Sequence, residues 1–181
     1  MDIFPRNDIK DSVMVYILDR PETEIKVTVI ANELKVSKGH VSEAVKHLKN
    51  YGLIRKNKVD IGSPYVRSLK IAINISKIIK SGIIRKIEKL GVETAGIYGS
   101  WARGMNTENS DIDIWIKTPK DFKAIDVARI SSEVRYALNI QPQILVLNRD
   151  KIDKIKNDNS VFYFSLIFGS IILLGDGIGR T

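Results

Sequence analysis

The segment Ala95–Lys117, AGIYGSWARGMNTENSDIDIWIK, constrains this 181-residue chain more than any other. Ala95–Tyr98 and Ile112–Ile116 are apolar runs of strand length, separated by Gly99-Ser100, a polar connector and Asp111-Ile112-Asp113. Residues two apart on a strand share a face, so the carboxylates of Asp111 and Asp113 are expected to point the same way. Two ionised carboxylates side by side repel, and holding both calls for a cation. An oxygen-only donor set suits Mg²⁺ or Mn²⁺, which bind through one or two carboxylates plus substrate phosphates. Gly99-Ser100 is expected to end a strand where a helix begins. There glycine lets a phosphate approach the backbone, exposed N–H groups meet it, and the Ser100 hydroxyl adds a donor.

DxD alone recurs by chance in many chains, and a Gly turn with two solvated Asp residues would explain it equally well. The combination is more specific. Gly99-Ser100, Ala102-Arg103-Gly104 and Ser110-Asp111-Ile112-Asp113-Ile114 together resemble the signature of the nucleotidyltransferases of the DNA polymerase β superfamily, most of all the minimal nucleotidyltransferases of prokaryotes. The resemblance spans residues 75–176 and implies an α+β domain, a mixed sheet with helices on one side. It implies that a nucleoside triphosphate, with ATP expected, binds as its Mg²⁺ (or Mn²⁺) complex and that a hydroxyl attacks the α-phosphate. Gly99 and Ser100 would hold the terminal phosphates, and Asp111 and Asp113 would be the catalytic, metal-holding pair. Arg103 would pair with phosphate or with an acid of its own fold.

Active members of that family carry a third carboxylate on the strand corresponding to Pro142–Leu147. Here the strand reads QPQILVL, with Gln143 where the acid is expected and no Asp or Glu between Glu133 and Asp150. An amide is a weak oxygen ligand and cannot accept the hydroxyl proton, so nucleotide binding is expected to survive better than turnover. The minimal family often forms the antitoxin half of a pair with a HEPN-domain ribonuclease, which it modifies with AMP or blocks. The resemblance therefore adds a HEPN-type protein as a candidate partner.

Before this domain, Ile9, Val13, Tyr16 and Ile17 recur at helical spacing over Asp8–Leu18. Arg20-Pro21-Glu22 breaks that helix, and Thr28 is expected to cap a second one bearing Ile30, Ala31 and Leu34. Ser37 is the natural N-cap of a third, running to Tyr51 with Val41, Ala44, Val45 and Leu48 inward and Gly52 as its stop. Leu53–Lys56 and Tyr65–Ile73 are expected as strands flanking a polar turn at Asn57–Pro64. Three helices followed by a hairpin resemble the winged helix-turn-helix of MarR/ArsR-type regulators over residues 1–73. That resemblance implies double-stranded DNA as a partner, read by Lys38, His40, Ser42 and Lys46 on the third helix, with Lys56 and Lys58 of the wing on flanking phosphates. Glu43 is a mild negative on such a face. The alternative is a domain that only packs against its neighbour or makes a homodimer.

The second domain is expected to span residues 74–181. Ile75–Leu90 is expected as one linking helix, with Ile75, Ile79, Ile83 and Ile87 at successive fours and Ile78 beside them in one apolar stripe, joining the two domains rigidly. Val92–Tyr98 and Ile112–Ile116 follow as paired strands, then a turn at Pro119-Lys120-Asp121 and a helix over Phe122–Leu138 with Ile125, Ala128, Val134 and Leu138 inward. Pro142–Leu147 is a third strand. A charged helix to Lys156, an apolar helix over Ser160–Phe168 and a last strand at Ser170–Leu174 complete the reading.

The composition fits this division. With 44% apolar residues the chain can bury a core, and with no Cys it has neither disulfides nor a thiol nucleophile. The net charge of +8 divides equally, with 13 basic against 9 acidic residues up to Asn74 and 16 against 12 beyond. The shorter half is therefore the more densely basic, which leans towards a polyanionic partner. The apolar run near Phe162–Leu174 is too short for a membrane span, and the acidic start MDIFPRNDIKDS does not resemble a signal peptide. A cytoplasmic protein without a membrane is expected. Three readings stay open: an active nucleotidyltransferase with a DNA-binding domain, a nucleotide-binding regulator without chemistry, and an antitoxin-like protein-binding module.

Overall fold

A computed structural model describes residues 9–118 and 122–179. The expected helix start at Asp8 and the expected turn Pro119–Asp121 lie outside those residues. The chain divides into two compact units, residues 1–76 with 107–109, and residues 77–106 with 110–181.

In the first unit three helices come first, α1 (Ile9–Asp19), α2 (Val27–Leu34) and α3 (Lys38–Asn50). Ser37 caps α3 by accepting from the His40 N–H at 3.2 Å, an arrangement worth about 1 kcal/mol. At the other end Gly52 takes φ 72°, and the Gly52 and Leu53 N–H groups return to the Lys49 and Leu48 carbonyls, each at 3.0 Å. That pair of bonds is a Schellman closure, which needs a left-handed residue at Gly52. Val13, Ile17, Val41, Ala44, Val45 and Leu48 form the centre of the core. α2 starts two residues earlier than expected, with Lys26 rather than Thr28 at its N-cap.

The hairpin that follows is far tighter than the sequence predicts. β1 (Ile54–Arg55) pairs antiparallel with β2 (Lys58–Val59), and the two residues between them, Lys56 and Asn57, have φ 47° and 61°. Two consecutive left-handed residues make a type I′ turn, whose twist suits a two-residue hairpin. Asn57 Nδ2 donates to the Ile25 carbonyl at 3.1 Å, and the Ile25 N–H donates back to the Asn57 carbonyl at 3.0 Å. The expected returning strand Tyr65–Ile73 does not exist. It is the first half of α4 (Pro64–Ser81), whose first residue is a proline, the position where a missing N–H costs nothing. On α4, Val66 and Ile73 join the first core, and the buried Lys70 ammonium donates to the Leu18 carbonyl at 2.6 Å in the last turn of α1.

The single linking helix expected at Ile75–Leu90 is also corrected. Gly82 adopts φ 70° and separates α4 from α5 (Ile83–Lys89). The break rotates the apolar stripe, so Ile78, Ile83 and Ile87 are buried while Ile79 is exposed.

The second unit is a four-stranded mixed sheet. β3 (Thr94–Tyr98) leads into the short α6 (Gly99–Ala102), then β4 (Ile112–Lys117), α7 (Ala124–Leu138), β5 (Pro142–Leu147), α8 (Arg149–Asp158), α9 (Ser160–Gly169) and β6 (Ile171–Leu174). The strand order is β5-β4-β3-β6, with β4–β5 parallel and the other pairings antiparallel. Being central, β4 is apolar on both faces, as strands covered twice must be. Ile112, Ile114 and Ile116 face a core shared with Ile83, Ile87, Ile130 and Val134, whereas Trp115 faces Leu147 and Leu166. Helices therefore cover both faces rather than the one side expected. On α7 the inward residues are Ile130 and Val134, and Ile125 and Ala128 are exposed. No helix among the described residues is long and apolar enough to cross a membrane.

Candidate active site

Strand register brings the candidate residues together. Tyr98, the last residue of β3, pairs directly with Asp113, and across the parallel ladder Asp113 pairs with Gln143. Directly opposed residues share a face, so Tyr98, Asp113 and Gln143 stand side by side at one end of the sheet. Asp111, just before β4, joins them, because Gln143 Nε2 donates to Asp111 Oδ2 at 3.0 Å.

Glycine is required at position 99 for two reasons. Its φ of 68° is left-handed, and a Cβ built there would overlap the Asp113 carboxylate, Oδ2 foremost. The turn from β3 into α6 thus lies directly against Asp113. Ser100 follows, half-buried, and its carbonyl accepts from the Met105 N–H at 2.9 Å, which folds the Arg103-Gly104 segment back over the turn. α6 has only four residues, so an anion at Gly99-Ser100 would depend on local N–H groups and the Ser100 hydroxyl, not on a long helix dipole.

Burial pushes the Asp113 carboxyl above its ordinary range and the negative charge of Asp111 pushes it further, while Arg103 opposes both. Tyr98 is raised as well, first by burial and then by Asp113. These shifts describe like charges two residues apart, at and just before the start of β4, with the Arg103 cation near, the electrostatics that a bound divalent ion relieves. The donor set of two carboxylates fits one Mg²⁺ or Mn²⁺ brought with phosphates. Among the described residues, no group of three or more His, Cys, Asp and Glu is placed to hold a metal. Gln143 stands at the third corner with its amide engaged to Asp111. Tyr98 escapes a reading of the sequence because its relevance comes from register across the sheet.

The geometry is accompanied by a clear kinship. The sequence pattern described as "Polymerase beta, Nucleotidyltransferase" matches residues 81–163. A relative in Methanocaldococcus jannaschii is 36% identical over 75 residues, covering 41% of this chain and 80% of that one. The chain belongs to the polymerase beta nucleotidyltransferase family. The M. jannaschii relative is provisionally named a protein adenylyltransferase. Solved structures with a similar fold include a tri-AMPylated HEPN toxin with its MNT antitoxin from Shewanella oneidensis, at 18% identity, covering 59% of this chain and 73% of that one, with a TM-score of 0.38. A nucleotidyltransferase, provisionally so named, from Sulfolobus solfataricus is 22% identical, covering 62% and 96% respectively, with a TM-score of 0.34.

In the first unit, Lys38, His40, Ser42 and Lys46 of α3 and Lys56 and Lys58 of the hairpin are all exposed. The His40 ring lies 3.0 Å from the Ser37 hydroxyl, Nδ1 to Oγ, so one of its nitrogens is engaged at the helix cap. Glu43 is drawn aside by Lys10, 3.3 Å away.

Proposed function

We propose that the second unit binds a nucleoside triphosphate, ATP first, with Mg²⁺ and transfers its nucleoside monophosphate to a hydroxyl on a protein. The observation that carries this reading is the Gly99 turn set against the Asp113 carboxylate, with Asp111 beside it. Family membership and the name of the M. jannaschii relative support it.

In this reading Ser100 and the backbone of the Gly99 turn bind the terminal phosphates, and Arg103 supplies positive charge. Asp111 and Asp113 hold the divalent ion, which when bound neutralises phosphate charge and favours the leaving pyrophosphate. The acceptor oxygen forms a bond to the α-phosphorus, the bond from that phosphorus to the bridging oxygen breaks, and pyrophosphate leaves with the electron pair. The hydroxyl proton passes to solvent water, because the Gln143 amide cannot accept it. A carboxylate in its place would offer general-base assistance, typically worth on the order of 10²–10⁴-fold. Slow transfer with intact nucleotide binding is the expected behaviour. The motif resemblance makes a HEPN-type protein the first acceptor to try.

Calorimetry of ATP binding with and without Mg²⁺, beside a labelled-ATP transfer assay, tests the reading. Asp111→Asn with Asp113→Asn should abolish the Mg²⁺-dependent part of binding and leave the fold intact, with a cooperative melt no lower than wild type. Absence of nucleotide binding in the unmodified protein would refute it.

A second reading concerns residues 1–73, within the first unit, as a winged helix-turn-helix that binds duplex DNA. Its support is the set of exposed cations and hydrogen-bonding side chains on α3 and the I′ hairpin, with Glu43 tied to Lys10.

A further inference from the structure

Helix α9 is apolar on two faces. Phe162, Leu166 and Ile167 pack towards the sheet against Trp115 and Leu147. The outward face carries Val161, Phe164, Ser165 and Phe168 at the i, i+3, i+4, i+7 spacing of a packing stripe. Val161 and Phe168 are 80% and 81% exposed and Phe164 52%. From Asn159 to Gly175 there is no charged residue, in a chain where 28% of residues are charged. Contiguous apolar surface of this kind marks an interface.

We propose that this face joins two copies of the chain across a two-fold axis, α9 antiparallel to α9. Its shape is self-complementary. The Phe164 and Phe168 rings stack, with centroids 6.0 Å apart and planes 11° from parallel, and form a ridge. Beside it Ser165 and Gly169, four apart, form a groove. Ser165 Oγ donates to the Phe162 carbonyl at 2.7 Å and so needs no water, and a Cβ at Gly169 would meet nothing within 4 Å. The ridge of one copy fits the groove of the other, and the two-fold axis repeats the insertion.

Charge points the same way. Copies of a chain carrying +8 repel each other over most of their surface. The uncharged stretch is where they can touch without placing like charges together or stripping water from a charge. The three exposed apolar side chains of α9 offer roughly 400 Å² per copy, hence about 800 Å² per pair, in the range of weak, transient interfaces. The association should therefore be weak and concentration-dependent.

Sedimentation velocity of the full chain over a wide concentration range tests this. The average mass should climb from 20.4 kDa towards twice that value. Phe168→Lys, which breaks the ridge, and Gly169→Leu, which fills the groove, should each hold the protein monomeric without lowering its melting temperature. Because the chain has no cysteine, Ser165→Cys should form a symmetric disulfide on mild oxidation. A wild type that stays monomeric at every concentration, a dimer that survives both substitutions, or a dimer that Ser165→Cys does not cross-link would each overturn the proposal. So would a monomeric protein whose binding to anionic lipid vesicles is lost in Phe168→Lys, since the face would then belong to a membrane surface.

Discussion

Replacing Gly99 by alanine should separate backbone strain from active-site crowding. The left-handed φ of 68° costs an L-residue about 1–2 kcal/mol. The new methyl also meets the Asp113 carboxylate, which must turn away from its rotamer at about 1 kcal/mol. A total of about 2–3 kcal/mol lowers the melting temperature of a chain this size by roughly 4–12 °C. Gly91 is the control, since its φ is 84° but a Cβ there would meet nothing within 4 Å, so Gly91→Ala should show the backbone cost alone. In an Asp113→Ala background the carboxylate is gone and Gly99→Ala should fall to the same value, a coupling of about 1 kcal/mol in the double-mutant cycle. Urea denaturation of the four proteins measures it, with ATP calorimetry in parallel. Gly99→Ala in the native background should lose Mg²⁺-dependent nucleotide binding, whereas Gly91→Ala should keep it. Equal destabilisation by Gly91→Ala and Gly99→Ala, with no coupling to Asp113, would refute the close approach of the turn to the carboxylate.

Gln143→Glu should bind a second Mg²⁺ more tightly and raise transfer if an acceptor is supplied. Without metal the third charge beside Asp111 and Asp113 should lower its melting point, and equal Mg²⁺ responses in variant and wild type would count against a metal at this corner. The raised Asp113 carboxyl has a sign that can be checked. A folded pKa above the unfolded one means the native state holds the extra proton, so metal-free stability falls as pH rises from the ordinary carboxylate value through the raised one. Asp113→Asn should therefore melt higher than wild type at neutral pH in chelator, with the gap closing in acid, and a pH-independent gap would contradict the shift. Lys38→Ala with Lys46→Ala should weaken duplex DNA binding and flatten its salt dependence by about one unit of slope for each phosphate no longer neutralised. Unchanged affinity and slope would turn the first unit into a protein-binding module.

The candidate site was legible because its residues are local. Gly99-Ser100 and Asp111-Ile112-Asp113 flank one strand-to-strand connection; period-two spacing placed the two carboxylates on one side, and the pairing of β3 with β4 sets the Gly99 turn against them. Gln143 could be added only through a family resemblance, and Tyr98 needed the ladder itself. The errors lie where short apolar runs satisfy two periods at once. Tyr65–Ile73 is rich in β-branched residues and alternates well enough to pass as a strand, although Pro64 at the first helical position was the signal for a helix. The Ile75–Leu90 stripe failed at Ile79 because one left-handed glycine resets the helical phase. Likewise Ile125 lies on the solvent side of α7, since the sheet it covers meets the helix from Ile130 onward.

Both tryptophans of the chain, Trp101 and Trp115, are buried in the second unit, one following Ser100 and the other two residues beyond Asp113. Gly96 makes room for the second of these, because a Cβ there would lie 2.6 Å from the Trp115 ring. Tryptophan fluorescence, excited beyond the tyrosine band, therefore watches the second unit alone, while far-ultraviolet circular dichroism reads the helices of both halves. Overlaying the two melting curves would tell whether the halves unfold as one cooperative body or in sequence. The same indole signal offers a label-free readout for ATP titration from the very turn and strand that carry the candidate site.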